Sequence, residues 1–241
     1  MNILEVAKTC LRQMKRMYIR SSSEQYVRYL RKKGVEIGNN VTFHDPVDVT
    51  VDITQPTLIK IGNNVEITKG VVILSHDMAW SVKKKLNGNV LGSNGMVCIG
   101  DNVFIGINTI ILKGVSIGNN VIIGGGSVVT KDVEENSVYA GNPAKKIATI
   151  DDYFSRRKEA QLNEAKELLR SYQKHYGKIP PKEIFRDYFF LFETRDSNIE
   201  KAKSYKKVLD VGGNKELSLK QFYSTKPIFN GYDDFVNFCI R

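Results

Sequence analysis

His76 is the residue of this chain best suited to acid–base chemistry. The sequence contains three histidines, and His76 stands directly before an acidic residue, at the start of a segment that interrupts the repeat described below. An imidazole titrates near neutral pH, so it can take a proton from a hydroxyl or an amine as that group attacks a carbonyl. We predict that His76 is a general base and that His44 and His175 are structural.

Other kinds of catalytic site find little support in the sequence. His44 and His76 are 32 residues apart, which is not a whole number of the coils described below, so they do not predict a shared metal site. Cys10, Cys98 and Cys239 form no CxxC pair, which indicates neither a zinc site nor a disulfide framework. There is no G-x-S-x-G motif, so direct transfer assisted by a base suits these residues better than an enzyme nucleophile.

A six-residue repeat runs without interruption from Ile99 to Val133. Read in sixes, it gives IGDNVF, IGINTI, ILKGVS, IGNNVI, IGGGSV and VTKDVE. Ile or Val opens every frame, and the Gly and Asn residues between them oppose a helix but suit tight turns. Such a period predicts a parallel β-helix in which three hexads make one coil of about 18 residues.

The repeat also covers an earlier segment. The residues that open its hexads are predicted to point inward; they are Ile37, Phe43, Val49, Ile61, Ile67 and Ile73, with Gln55 as the weak frame. Counting on from Ile73 misses Ile99 by two residues, which indicates an insertion from Asp77 to Gly95. A loop that leaves a rigid repeat is a frequent place for function. Trp80 in this loop could stack on a sugar ring or could pin the loop to the coil.

Helical segments flank the repeat. Asn2 to Ile19 and Ser23 to Lys33 are predicted as two helices, separated by serines that could cap the second. Four helices are predicted after the repeat, at 151–176, 182–192, 199–209 and 218–223, the last with a capping-box spacing at Ser218. The aromatic run at 185–192 could be a platform for a sugar or a partner, but a helical cap over the solenoid is favoured.

The formal net charge of +10 is concentrated at the N-terminal end. Residues 1–33 hold nine Lys or Arg and two Glu. An apolar face of the first helix is predicted from Leu4, Ala7, Leu11, Met14 and Met17. We expect this arm to pack on the β-helix, and contact with an anionic membrane surface is the alternative. Nucleic acid is not expected, because no recognised nucleic-acid module accompanies the charge.

The apolar residues at the N-terminus do not resemble a targeting segment. Lys8, Arg12, Lys15 and Arg16 interrupt them, so a secretory signal is not predicted. No apolar run in the sequence approaches the length needed to span a bilayer. These features predict a cytoplasmic protein, with the inner face of the membrane as the alternative location.

The stretch IGDNVFIGINTIILKGVSIGNNVIIGGGSVVTKDVEENSVYAGNPAKKI strongly resembles the signature of the hexapeptide-repeat acyltransferases. This family includes the maltose, galactoside, serine and xenobiotic acetyltransferases and polysaccharide O-acetyltransferases. The resemblance implies a mainly β fold: a left-handed parallel β-helix of about four to five coils, with N-terminal helices and an α-helical C-terminal extension. The domains expected from it are a helical arm at 1–34, the β-helix at 35–150 with its inserted loop at 77–95, and the extension at 151–241.

The resemblance also implies partners and site residues. In the family, three subunits pack side by side, and each active site lies in a groove between two of them. Ser75-His76-Asp77 matches the segment of the catalytic base, and Asp77 and Trp80 are expected to contact the acceptor. The positions that match the acetyl-CoA contacts are Phe104, Ile107 through its backbone N–H, Gly125, Thr130, Lys131, Asn142, Pro143 and Lys145.

Two positions depart from the family pattern. Phe104 stands where many relatives carry Trp, and the His-x-His of some sugar acetyltransferases is His76-Asp77-Met78 here. We predict a homotrimeric, acetyl-CoA-dependent O-acetyltransferase that modifies a sugar or a polysaccharide precursor, with no metal and no covalent enzyme intermediate. The alternatives are an N-acetyltransferase acting on an amino sugar or a small amine, and a non-catalytic β-helix scaffold. A γ-carbonic-anhydrase-like metalloenzyme is disfavoured because the histidines it needs are missing.

Overall fold

The computed structural model describes residues 3–241, without the side chains of residues 3, 4 and 6. The predicted helix start at Asn2 and the side chain of Leu4 lie outside the described residues. The chain divides into two compact units, Met1–Tyr153 and Phe154–Arg241. Among the helices within residues 3–241, none has the length and apolar character needed to cross a membrane.

Helix α1 spans Ile3–Ile19 and helix α2 spans Ser23–Lys33, in agreement with the prediction. A short serine turn separates them. Ser22 caps α2, because its hydroxyl oxygen accepts a hydrogen bond from the N–H of Gln25 at 3.2 Å. The predicted serine cap is therefore confirmed, and Ser22 provides it.

The two N-terminal helices differ in how they pack. Helix α2 buries Tyr26 and Leu30 in the core of the β-helix. In α1, by contrast, Leu11, Met14 and Met17 are 66–72% exposed. The expected packing of the arm on the β-helix is thus confirmed for α2 and wrong for α1, whose apolar face is left without cover among the described residues.

The segment from 36 to 140 winds into a three-sided parallel β-helix. Sheet A contains β1 (Glu36–Ile37), β4 (Ile59–Ile61), β7 (Val97–Ile99) and β10 (Ser116–Ile117). Sheet B contains β2 (Thr42–Phe43), β5 (Glu66–Ile67), β8 (Val103–Ile105), β11 (Val121–Ile123), β13 (Ser137–Ala140) and the antiparallel β14 (Lys145–Thr149). Sheet C contains β3 (Thr50–Val51), β6 (Val72–Ile73), β9 (Ile110–Ile111) and β12 (Val128–Val129). Four full coils result, and β13 begins a fifth, as the resemblance implied.

The residues that open the hexads form the core of the β-helix, as predicted. Ile61, Ile99 and Ile117 stand in register in sheet A, each with 2–3% of its surface exposed. Full burial of one such side chain stabilises a fold by about 1.5–3 kcal/mol. The interior columns therefore hold the coils together, while the outward residues remain free for other roles.

The first coil departs from the predicted frame. Val51 stands in register with Ile73 of the next coil, in the place that the sequence assigned to Val49, although Val49 is buried too. A 3-10 turn at Pro56–Leu58 then follows before sheet A resumes. The weak hexad at Gln55 is therefore part of an insertion and not a strand, since proline cannot donate to a strand ladder.

The coils turn at three corners, which we name by the sheets they join: A–B, B–C and C–A. At the A–B corner a ladder is formed by Asn40, Asn64, Asn102, Asn120 and Asn136. Their side-chain amides are hydrogen-bonded from coil to coil at 2.8–3.1 Å. All five have φ values of 54–57°, in the left-handed region that Asn tolerates better than most residues.

The C-terminal unit is helical, as predicted, but its elements differ in type and extent. Helix α4 spans Ile150–Tyr176 and leads into this unit, where 3-10 helices span Lys182–Leu191 and Ile199–Lys201. Three α-helices follow: α5 (Lys203–Leu209), α6 (Lys215–Ser224) and α7 (Tyr232–Ile240). The predicted capping box at Ser218 is wrong, because Ser218 lies inside α6 and its N–H donates to the carbonyl of Asn214 at 3.2 Å. Helix α7 was not predicted.

The aromatic run at 185–192 forms the core of the C-terminal unit. Phe185, Phe189, Leu191 and Phe192 are at most 2% exposed. The ring of Phe192 stacks on that of Phe235 in α7, with centroids 5.3 Å apart. These residues are therefore not an exposed sugar platform. They form the hydrophobic core of the C-terminal unit, and the expected role of this unit as a cap over the solenoid stays a prediction.

Candidate active site

His76 lies at the C–A corner of the second coil, where the insert loop (residues 77–95) leaves the β-helix. The two ends of the loop are tied together, because the N–H of Gly95 donates a hydrogen bond to the carbonyl of Ser75 at 2.9 Å. His76 itself forms an isolated antiparallel bridge across the base of the loop. The backbone around His76 is thus fixed, while its side chain keeps 27% of its surface exposed.

Asp52 is the partner of His76, and the sequence analysis missed it. Its Oδ2 atom lies 2.5 Å from Nδ1 of His76. The same oxygen accepts hydrogen bonds from the N–H and the hydroxyl of Ser75, at 3.1 and 2.8 Å, and Oδ1 accepts one from the N–H of Thr54 at 2.9 Å. The Asp52 side chain is 5% exposed, so this carboxylate is held firmly and fixes the orientation of the imidazole.

The Asp52 carboxylate remains ionised in this setting. Burial by itself raises the pKa of Asp52, but the hydrogen bonds from His76, Thr54 and Ser75 outweigh burial and hold that pKa well below its usual range. Because the ionised Asp52 carboxylate can only accept a hydrogen bond, Nδ1 of His76 carries the ring proton and donates it. The lone pair then resides on Nε2, which makes His76 a proton acceptor.

Two insertions at one corner bring Asp52 to His76. The segment 52–58 leaves sheet C of the first coil, and the insert loop leaves sheet C of the second. Neighbouring strands lie about 4.8 Å apart, so side chains at the same corner of consecutive coils can meet. The available signal was the weak frame at Gln55, which follows Asp52 by three residues and lies one coil before the histidine.

Asp77 fastens the insert loop. Its Oδ1 accepts a hydrogen bond from the N–H of Ala79 at 2.9 Å, and its Oδ2 accepts from the Ser93 hydroxyl at 3.0 Å and from the Lys113 ammonium. The Lys113 ammonium is the main cause that lowers the pKa of Asp77 to about 2. Both carboxylate oxygens of Asp77 therefore already accept hydrogen bonds from the protein. The expected contact of Asp77 with an acceptor stays a prediction.

Trp80 begins helix α3 (Trp80–Asn87) of the insert loop, a helix that was not predicted. Its ring is half-buried, and the ammonium of Lys84 lies 6.0 Å from the ring centroid. Val82 and Leu86 on the same helix are 63% and 76% exposed. The two roles considered for Trp80, a sugar contact and a loop anchor, both stay predictions.

Ile107 lies at the B–C corner of the third coil. Its carbonyl accepts a hydrogen bond from the N–H of Gly126 on the next coil at 2.7 Å. Within residues 3–241, its own N–H donates no hydrogen bond. Gly125 lies beside it, and a Cβ atom there would approach the Ile107 carbonyl to 3.2 Å. This corner therefore offers a backbone donor without a hydrogen-bond partner among the described residues, next to a glycine that has no side chain.

Four more of the residues expected to bind the donor lie on sheet B or at its B–C corner. Phe104 points outward from β8 and is 42% exposed. Asn142 and Pro143 follow β13 at the B–C corner, and Lys145 begins β14; all three are exposed. The structure thus groups these residues with Ile107 and Gly125.

Thr130 and Lys131 lie elsewhere. Both follow β12 at the C–A corner, and both are exposed. That is the corner of His76, two coils further along the axis. The predicted donor contacts of one chain are therefore divided between two corners.

His76 and Ile107 of the same chain do not meet. All of sheet C separates their corners on each coil, and a hexad at roughly 3.3 Å per residue spans up to about 20 Å. A base and an oxyanion donor that act on one thioester must both lie within hydrogen-bond distance of the reacting atoms. They can serve one reaction only if a second chain brings its corner beside the first.

The other candidate groups have structural contacts. Nε2 of His44 lies 2.5 Å from Oε2 of Glu66, and the ring of His175 packs against Tyr176 with centroids 4.5 Å apart. The three cysteines are free. In the part of the chain that the structure describes, no three His, Cys, Asp or Glu side chains converge as metal ligands would.

Comparison with known proteins identifies the repeat. Residues 99–131 match the family described as bacterial transferase hexapeptide (six repeats). Protein CapG of Staphylococcus aureus is 51% identical over 125 residues, which cover 52% of this chain and 71% of CapG. Galactoside O-acetyltransferase of Escherichia coli (strain K12) is 36% identical over 120 residues, which cover 49% of this chain and 55% of that enzyme.

A maltose O-acetyltransferase from Clostridium difficile 630 is similar among solved structures. It aligns with a TM-score of 0.41 and 27% identity, over 61% of this chain and 89% of that chain. The similarity to CapG extends over most of CapG, and residues 99–131 of this chain match the family itself. The chain therefore belongs to the bacterial hexapeptide transferase family, as an acetyltransferase built on a parallel β-helix.

Proposed function

We propose that this chain is an acetyl-CoA-dependent O-acetyltransferase that modifies a hydroxyl group of a sugar or of a polysaccharide precursor. The observation that carries the proposal is the pair of His76 and Asp52, whose Nδ1 and Oδ2 atoms lie 2.5 Å apart at the root of the insert loop. Galactoside O-acetyltransferase, one of the relatives, is named for a sugar acceptor, which supports a sugar here.

His76 acts as the general base. Because Nδ1 is bonded to Asp52, Nε2 takes the proton of the acceptor hydroxyl while the hydroxyl oxygen attacks the carbonyl carbon of the acetyl thioester. The Asp52 carboxylate stabilises the imidazolium that forms, so Asp52 is a positioning residue. Proton transfer to a well-placed base typically contributes about 10²–10⁴-fold to the rate.

The backbone N–H of Ile107 stabilises the oxyanion of the tetrahedral intermediate. A new C–O bond to the acceptor forms, the C–S bond to CoA breaks, and the proton held by His76 passes to the departing sulfur. Removal of a single donor of this kind typically costs about 2.7–4 kcal/mol of transition-state stabilisation. The reaction needs no enzyme nucleophile. The groups proposed at the two corners, a histidine base and a backbone N–H, are those that a direct transfer requires.

The exposed residues near the B–C corner would hold the donor. Phe104 supplies an apolar surface, Gly125 permits close approach, and Asn142 and Pro143 shape the end of the groove. Thr130 and Lys131 complete the donor site from the C–A corner. Lys131 and Lys145 are exposed cations of the kind that binds the phosphates of CoA.

The active form would be a homotrimer. Since the base and the oxyanion donor of one chain lie at different corners, each site takes His76 from one chain and Ile107 from another. The outer face of sheet C suits such contacts, because Val72, Ile110 and Val128 stand there as half-buried apolar residues. A closed threefold ring repeats this contact without leaving an open end.

The test is CoA release from acetyl-CoA, detected as free thiol, with a panel of sugars, amino sugars and amines. His76→Gln should abolish turnover with any acceptor that the wild type uses. His175→Gln is the matched control, since it removes a histidine from α4 in a different part of the chain, and it should leave turnover unchanged.

Each outcome of this assay decides between functions. Turnover with sugar hydroxyls that disappears in His76→Gln supports the proposal, and turnover confined to amines points to N-acetylation instead. A folded wild type that neither releases CoA nor binds acetyl-CoA by calorimetry would overturn the proposal in favour of a non-catalytic scaffold.

A further inference from the structure

Helix α1 presents a bare apolar stripe. Leu11, Met14 and Tyr18 follow one another at spacings of three and four, so they lie on one helical face, and Met17 adjoins them. These four side chains are 64–72% exposed. A soluble helix normally turns such a stripe toward a core, as α2 does with Tyr26. Among the described residues, the stripe on α1 thus has no apolar partner of the kind that its composition requires.

The other side of α1 is strongly basic. Lys8, Arg12, Lys15 and Arg16 lie within it, and Glu5 is the acidic residue in its described range. All of these charged side chains are exposed. Within residues 3–241, none of the four cations takes part in an ion pair. The positive charge beside the stripe is therefore available to an anionic partner.

The chain fixes the end of α1 to the β-helix. Arg20, directly after the helix, donates hydrogen bonds from Nη1 to the carbonyls of Pro46, Val47 and Val49 at 2.5, 2.9 and 2.7 Å. Its guanidinium carbon also lies 4.8 Å from the ring centroid of Tyr26. The bare stripe hence belongs to a helix that is anchored at its C-terminal end.

We propose that α1 binds the surface of an anionic lipid bilayer and attaches the enzyme there. Its apolar stripe enters the boundary between headgroups and acyl chains, and its Lys and Arg side chains contact the lipid phosphates. Charge complementarity favours a bilayer over a second copy of this chain, because a second copy would bring an equally basic helix. The inference does not depend on the proposed acetyl transfer.

Co-sedimentation of the full chain with vesicles tests this inference. We expect binding to vesicles of phosphatidylglycerol and phosphatidylcholine, and little binding to phosphatidylcholine alone. Binding should weaken when the salt concentration rises from about 0.05 to 0.5 M, because salt screens the lipid charge. Two variants, Leu11→Gln/Met14→Gln/Met17→Gln and Lys8→Gln/Arg12→Gln/Lys15→Gln, should each weaken binding by about tenfold or more.

A matched variant controls for net charge. Lys206→Gln/Lys207→Gln/Lys220→Gln removes three exposed lysines from the C-terminal unit, and it should bind the anionic vesicles like the wild type. The inference is overturned if the control loses as much binding as the α1 variants, or if the wild type does not prefer anionic vesicles. It is also overturned if the wild type ignores vesicles and the apolar variant lowers the oligomeric mass, which would assign the stripe to a second copy.

Discussion

A single buried carboxylate sets the chemistry of His76. Asp52 receives hydrogen bonds from three residues, and the residue next to His76 in the chain, Ser75, supplies two of them. The imidazole is therefore oriented by the same group that stabilises its charged form. At the residue scale, the proposed role of His76 as a base therefore depends on Asp52 as much as on the presence of a histidine.

Asp52→Asn should keep the fold and lose most of the activity. The amide has nearly the shape of the carboxylate but no charge, so the imidazolium loses its stabilising partner. We expect kcat to fall by roughly 10²-fold with a small change in KM.

Asp48→Asn is the control for this prediction. Asp48 is an exposed residue of the same coil that pairs with Lys69 at 2.9 Å, and its loss should leave kcat unchanged. A normal rate in Asp52→Asn, together with an inactive His76→Gln, would show that His76 works without this partner.

The carboxylate of Asp77 makes the closure of the insert loop depend on pH. Its pKa of about 2 lies below the ordinary value near 4, so the carboxylate stabilises the closed loop above about pH 4 and loses this effect as pH falls toward 2. Trp80 is the single tryptophan of the chain and lies in the loop. Its fluorescence should change between about pH 4 and pH 2 as the loop opens.

Lys113→Met should move that transition to higher pH, because the ammonium is the main cause of the low Asp77 pKa. Lys69→Met, which removes an exposed partner of Asp45 and Asp48, should leave the transition in place. Circular dichroism at the same pH values separates loop opening from global unfolding. Equal transitions in the wild type and Lys113→Met would contradict the role of Asp77.

At the scale of structural elements, the A–B corner is stabilised by backbone conformation and side chain together. Each ladder Asn adopts a left-handed conformation and links two coils through its amide. Few residues meet both conditions, because glycine has no side-chain amide and most other residues are strained at positive φ. The recurrence of Asn in this sequence position thus has a local physical cause.

Asn102 allows the two contributions to be separated. Asn102→Ala loses the hydrogen bonds with Asn64 and Asn120 and keeps a side chain at a φ of 57°, so we expect a loss of about 2 kcal/mol in the free energy of unfolding. Asn102→Gly loses the same bonds without backbone strain and should cost about half as much. Urea unfolding of both variants measures the difference, and a larger loss in the glycine variant would contradict this account.

The sequence predicted the regular elements and missed those that depend on distant contacts. Ile61, Ile99 and Ile117 were assigned to the core because a six-residue period leaves few alternatives. Asp52 was missed because a shift of frame in the first coil hid its corner, and its partner lies 24 residues away. Helix α7 was missed because its stability comes from the packing of aromatic side chains such as Phe235, which no local period reveals.

At the scale of the whole molecule, the proposed homotrimer requires that chains share active sites, because His76 and Ile107 of one chain lie at different corners. Each chain would contribute its C–A corner to one site and its B–C corner to another. A variant that lacks one of these parts is then inactive as a homotrimer, but it still carries the other part intact. Mixed trimers can therefore distinguish shared sites from sites within one chain.

Two inactive variants should restore activity when they are assembled together. His76→Gln lacks the base, and Gly125→Phe fills the space beside Ile107 where the donor would approach. Random mixing in equal amounts gives an intact base and an intact groove at about one quarter of the sites, so we expect about one quarter of the wild-type rate. The measurement is CoA release after the denatured variants are refolded together.

The variants refolded separately and then combined without exchange serve as the control and should remain inactive. A mixture that stays inactive, although native mass spectrometry shows mixed trimers, would mean that one chain supplies both parts of each site.

The contact between Asp52 and His76 also depends on the correct register of the first two coils. Hexads are alike, so a strand can pair with the wrong neighbour and still bury an isoleucine. A slip by one hexad would rotate one insertion to another corner and carry Asp52 a full side away from His76. The contact between Asp52 and His76 therefore forms only when the first two coils are correctly aligned. A chain with a slipped register could still bury its isoleucine columns, but we expect it to have no transferase activity.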